Sequence, residues 1–149
     1  MRGSHVSRWL WPVASLAIVV SGCGRGAGGA TARGIVTIDG QPAPAGIRVD
    51  FQPQGPNGSP SMGITDAKGQ YELFFTAACK GVMPGESLVR ITVMHEISAE
   101  GIPKVPEALK DVRIPDSYGR QSNLTRTVKP GFNQIDIAID TTSAVTKSR

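Results

Sequence analysis

Residues 34–53 read GIVTIDGQPAPAGIRVDFQP, and this stretch decides the fold. Ile47, Val49 and Phe51 alternate with Arg48, Asp50 and Gln52. That period of two is the mark of a half-buried strand. Just before it, Ile35 and Thr37 lie on one face and Val36 and Ile38 on the other, and Asp39-Gly40 supplies a two-residue turn.

The same grammar repeats downstream. QGPNGSP reads as a loop, SMGITD as a short strand carrying Met62 and Ile64, and Asp66-Ala67-Lys68-Gly69 as a tight turn. QYELFF puts Tyr71, Leu73 and Phe75 on one face. After the break at ACKGVMPGES, Val89, Ile91 and Val93 face one way and Arg90, Thr92 and Met94 the other. LTRTVKPGFNQIDIAID reads as a hairpin turning at Pro130-Gly131, with Ile135, Ile137 and Ile139 inward on its second strand. About seven strands with turns every 8–12 residues predict an all-β, antiparallel β-sandwich. The expected inward set is Ile47, Val49, Phe51, Leu73, Val89, Ile91, Val93, Ile135 and Ile137.

The N-terminal region carries a different signal. Arg2 and Arg8 make it basic, and no acid precedes Asp39. The apolar stretch from Trp9 to Val20 is shorter than the roughly 20 residues of a membrane span. It fits a secretory signal with an apolar centre of about 7–15 residues. Val20-Ser21-Gly22-Cys23 is similar to the lipobox of bacterial lipoproteins: an aliphatic residue, a small one, Gly or Ala, then Cys. Residues 1–22 are therefore expected to be a signal peptide, with the thiol of Cys23 carrying the lipid (palmitate among its chains). A rival cleavage pattern, A-x-A, stands at Ala30-Thr31-Ala32. GRGAGGATARG lacks large apolar residues and predicts a flexible Gly-rich tether over 23–32. The sandwich is expected over 33–140 and a disordered tail over 141–149.

Composition narrows the partners. The 149 residues less the first 22 leave 127, which suits one domain. The formal charge of +4 falls to about +2 once Arg2 and Arg8 leave, and no basic cluster points to nucleic acid. The only cysteines are Cys23 and Cys79, so no disulfide framework is expected. Cys79 reads as a small hydrophobe.

GIVTIDGQPAPAGIRVDFQP, GITDAKGQYEL, GVMPGESLVRITV and LTRTVKPGFNQIDIAI together resemble the carboxypeptidase regulatory-like family of bacterial envelope lipoproteins, whose fold is transthyretin/prealbumin-like. Asp39-Gly40, Thr65-Asp66, Gly69, Tyr71, Pro84-Gly85 and Lys129-Pro130-Gly131 occupy the family's turn and core positions. These signatures speak to fold and are nearly silent on function.

Catalytic and metal-binding chemistry is not expected. His95 is the single histidine after residue 22, and a zinc site needs three or four ligands. TDAKG offers one carboxylate where a calcium loop has several. Ser98, His95 and Asp111 can be assembled into a triad only on paper, with no G-x-S-x-G elbow. The resemblance also implies no enzyme: the histidines of hydroxyisourate hydrolases, and those of intradiol dioxygenases, are missing. No cofactor is expected.

The expected function is a lipid-anchored, non-catalytic cell-envelope module that binds an envelope protein or glycan. Its alternatives are a passive structural spacer on the membrane surface and, more remotely, a hydrolase of unknown substrate. Gly24 after Cys23 favours the outer membrane over the inner, by resemblance to lipoprotein sorting. The segment 96–123 exceeds the usual loop length of about 12–15 residues. It carries Ile102, Val105, Leu109, Ile114 and Tyr118 among three prolines. Either these side chains cap the sandwich, or the loop is a binding surface anchored on Tyr118 and Ile114.

Overall fold

The computed structural model describes residues 29–56 and 58–142. The signal-peptide expectation, Cys23, the start of the tether and most of the C-terminal tail lie outside them. Among the described residues there is no α-helix, and one short 3-10 turn spans Glu107–Leu109.

The first sheet is built around β1 (Ala30–Ile38). On one side β1 pairs antiparallel with β2 (Gln41–Pro42) and with a later short strand at Gln70–Glu72. The second sheet contains β3 (Ile47–Pro53) and β4 (Ser61–Ile64). With Gln70–Glu72 labelled β5, the chain continues through β6 (Phe74–Thr76), β7 (Cys79–Lys80) and β8 (Gly85–Val93). A small separate hairpin follows, β9 (Glu96–Ile97) with β10 (Pro103–Lys104). β11 (Thr125–Val128) completes the second sheet in the order β11-β8-β3-β4-β6-β7. β12 (Gly131–Gln134) and β13 (Ile137–Ile139) return to the other side of β1, both parallel to it. Every other pairing is antiparallel.

Inward side chains of both large sheets form one core, which makes the fold a β-sandwich. Val36 supplies it from the first sheet, and Ile47, Val49, Phe51, Val89 and Ile91 supply it from the second. Of the expected inward residues, all are buried except Val93, which packs partly buried against the same cluster.

The Asp39-Gly40 turn forms as the sequence predicts, with φ of 49° and 80° at its two central residues. The Asp39 carboxylate then accepts hydrogen bonds from the Thr141 N–H at 2.9 Å and the Thr141 hydroxyl at 2.6 Å. Thr141 is thus tied to the first sheet's turn.

Three expectations are corrected. The strand β1 starts at Ala30, so the first strand begins before residue 33. Ala30 is 2% and Ala32 1% exposed. Their small side chains, which lack a hydrophobic signature in the sequence, are what the close approach of Val82 and β12 admits. QYELFF is not one strand. β5 pairs with β1 and β6 pairs with β4, because the chain crosses between sheets at Leu73. There the Leu73 N–H donates to Ala32 O and the Leu73 carbonyl accepts from Gly81 N–H. LTRTVKPGFNQ is likewise not a hairpin: β11 pairs with β8 and β12 with β1. Asn133 holds that crossing. Its Oδ1 accepts the Lys129 N–H at 2.9 Å, and its amide donates to the carbonyls of Lys129 and Thr31.

β12 and β13 keep one register along β1 but are interrupted at Ile135-Asp136. A Cβ added to Gly34 would lie 1.8 Å from the Ile135 carbonyl oxygen. Only glycine permits this approach. The same oxygen accepts the buried Tyr71 hydroxyl at 2.6 Å.

Candidate functional site

The outer face of the second sheet carries a groove of about 600 Å³. Its floor is Met62 and Ile64 of β4 and Phe74 of β6, with Phe75 alongside. Asp50, Met62 and Phe74 stand side by side across three strands. Met62 is 44% and Ile64 42% exposed.

The reason lies on the opposite side of β4. Its inward positions are Ser61 and Gly63, followed by Thr65 just beyond its end, and all three are buried. A Cβ on Gly63 would stand 2.5 Å from the Glu72 carbonyl oxygen, where the chain crosses between sheets. Large side chains have no room inward, so the alternation of this strand is inverted and its apolar residues face out.

Two ion pairs flank the apolar floor. Arg48 holds Asp50 on the β3 side, with Nη2 and Nε each 2.9 Å from Asp50 Oδ1. On the β6 side, Lys80 Nζ lies 2.7 Å from Glu72 and 5.9 Å from the centre of the Phe74 ring. These pairs are solvent-exposed, so they orient more than they stabilise. An apolar floor between charged rims can bury aliphatic or aromatic side chains of a partner and fix their register.

The residues singled out in the sequence fall elsewhere. Tyr118 and Ile114 are each half-buried against the core cluster. The Tyr118 carbonyl accepts the Ile91 N–H at 2.7 Å, and its hydroxyl accepts the Asp140 N–H at 3.4 Å. Leu109 is buried outright, while Val105 and Val112 pack beside it. Most of the long segment thus covers the end of the sandwich where β8 finishes. Ile97 and Ile102 are its exposed apolar residues, and both sit on the β9–β10 hairpin.

Ser98 Oγ accepts the Ile102 N–H within that hairpin, a structural use of the hydroxyl. His95 is exposed at the end of β8. Cys79 is half-buried in β7, with its N–H on Thr76 Oγ1. Among the described residues, no three His, Cys, Asp or Glu side chains are grouped to hold a metal ion. No helix among them is long and apolar enough to cross a membrane.

Sequence reasoning missed the groove because Met62 and Ile64 look like core residues. The signal that exposes them is the pairing of large residues with Ser and Gly on alternate positions of SMGI. No protein-family model matches the chain, and no curated protein sequence matches it.

Proposed function

We propose that the chain is a lipid-anchored, non-catalytic β-sandwich of the bacterial cell envelope, of carboxypeptidase regulatory-like type, that binds an envelope protein. The observation that carries the binding role is the uncovered apolar floor of Met62, Ile64 and Phe74 between two ion pairs. Contiguous exposed apolar surface rimmed by polar groups marks interaction sites.

The anchor is supported by where the fold begins. Cleavage after Ala32 would remove Ala30 and Ala32, which are buried in β1. Cleavage before Cys23 leaves β1 whole. Lipid on Cys23 then holds the sandwich by a tether of residues 24–29, whose fully extended reach is about 20 Å at roughly 3.3–3.6 Å per residue. The end of the sandwich beside Gly29 and Pro84 would face the membrane. The β9–β10 hairpin would stand about 30 Å further out, the length of the nine-residue β8 at about 3.3 Å per residue.

The packing of Ile114 and Tyr118 favours a second reading, a passive spacer whose long segment serves only to cap the fold. Site-specific photo-crosslinking in living cells separates the two. A photoreactive residue at Met62 of the full chain is expected to capture a discrete partner, and one at Thr127 is expected to capture none. Absence of any adduct at Met62 supports the spacer.

A further inference from the structure

The chain enters the sandwich at Gly29, and that end differs in chemistry from the other. The Gly131 N–H donates to the Gly29 carbonyl at 3.1 Å, so the entry point lies beside the Lys129-Pro130-Gly131 turn. Phe132 follows, level with Thr31 and 60% exposed. The Arg33 guanidinium covers one face of its ring, 4.9 Å from the centre. Pro84 stands beside Gly29. With Pro53, Pro56 and Met83 it lines a concavity of about 440 Å³ at the same end.

Charge divides the two ends. The connections 54–60, 81–86 and 129–131 meet at the Gly29 end, and Glu86 is their one acid. Lys129 and Arg33 are both exposed there. The connections at the far end are rich in acid. Asp39, Asp66 and Asp140 lie there, with five more acids in the segment 96–123. Lys68 and four Lys or Arg side chains of that segment stand against these eight. An anionic lipid surface attracts the first end and repels the second. Its field fades within about 8–10 Å at ordinary salt. Six residues, 24–29, separate Cys23 from β1 and span at most about 20 Å. A lipid on Cys23 therefore keeps the Gly29 end close to that field and leaves the far end beyond it.

We infer that the Gly29 end of the sandwich, through Phe132, Lys129 and Arg33, rests on the anionic surface of the membrane that holds Cys23. The inference depends on the proposed lipid on Cys23 and adds a protein–lipid contact to it. The Phe132 ring lies at the level of the headgroups, where aromatic side chains gather. Arg33 and Lys129 reach the lipid phosphates. Each contact is weak alone, and attachment to the same surface supplies the effective concentration that makes them sufficient. The contact holds the sandwich upright, with the β9–β10 hairpin outward.

Both tryptophans, Trp9 and Trp11, precede Cys23, so Phe132→Trp gives the processed chain a single tryptophan. The full-length protein is expressed, and its mature product is reconstituted in vesicles of phosphatidylethanolamine and phosphatidylglycerol brominated near the headgroup. Mass spectrometry of the same sample reads acylation. The brominated lipid is expected to quench the fluorescence of Phe132→Trp at least threefold more than that of Ile97→Trp, on the far hairpin. Adding Lys129→Glu to Phe132→Trp should at least halve the quenching, with an unchanged circular dichroism spectrum. All three replaced side chains are exposed, so none of the changes threatens the fold. Equal quenching of Phe132→Trp and Ile97→Trp in an acylated product overturns the inference and leaves the anchor standing. So does quenching that Lys129→Glu does not reduce. A product without acyl groups overturns the anchor, and this inference with it.

Discussion

The Asp136 carboxylate accepts the backbone N–H of Ile35 at 2.9 Å, standing in for a carbonyl where the β12–β13 edge is interrupted. The contact joins residues 101 apart in sequence, so it closes the sandwich across nearly the whole domain. It belongs to a node in which Gly34 lies against the Ile135 carbonyl and Tyr71 donates to that same oxygen.

Gly34→Ala is expected to be the most damaging small substitution in the chain. Its methyl would overlap backbone rather than a movable side chain. A cost of at least about 3 kcal/mol follows, the upper range of overpacking. Asp136→Ala, which removes an exposed hydrogen bond, should cost about 1 kcal/mol. Urea denaturation of the two variants gives the comparison.

Tyr71 should make the fold sensitive to alkali. Burial, and secondarily the Asp136 carboxylate, push its hydroxyl above the ordinary value of 10.0, with Arg126 pulling the other way. The folded state therefore holds the proton more tightly than the unfolded state. The resulting stability is complete below pH 10 and falls as pH rises towards the folded-state value. Tyr71→Phe should cost about 1–3 kcal/mol at neutral pH, by leaving the Ile135 carbonyl without its donor. It should also flatten the loss of melting temperature above pH 10. An equally steep alkaline decline in the variant would contradict this.

Gly63→Ala tests why the groove is apolar. The methyl would press on the Glu72 carbonyl, with a cost of about 1–3 kcal/mol. Met62→Ser, on the other face of the same strand, should change stability by less than about 0.5 kcal/mol, as exposed sites do. Thermal melts that rank the two in the opposite order would remove the packing explanation for the inverted strand.

Ile91→Ala should cost about 2–5 kcal/mol, as a buried isoleucine replaced by alanine does. Ile97→Ala, on the exposed hairpin, should cost little. Guanidinium unfolding curves supply both values.

The legible part of this fold is what the strand pleat writes into a sequence. Ile47, Val49 and Phe51 alternate with Arg48, Asp50 and Gln52 because one face of β3 meets the core. Asp39-Gly40 is readable because both turn residues need positive φ. The sheet crossings at Leu73 and at Lys129-Pro130 are not readable, since alternation is the same whether a strand stays in its sheet or leaves it. Ala30 and Ala32 were hidden for a related reason: small residues mark loops and tight packing alike. The groove inverts the usual rule, with Met62 and Ile64 outward because Gly63 has no space behind it. Tyr118, which the sequence leaves open as a cap of the sandwich or an anchor for a partner, packs half-buried against the core.

The proposed attachment through Cys23 is the premise of the proposed envelope role, and mass spectrometry of the mature N-terminal peptide tests it most directly. The account predicts a peptide beginning at Cys23 and carrying diacylglycerol on its thiol, with β1 intact seven residues on. An unmodified peptide beginning at Arg33 or Gly34 would contradict it.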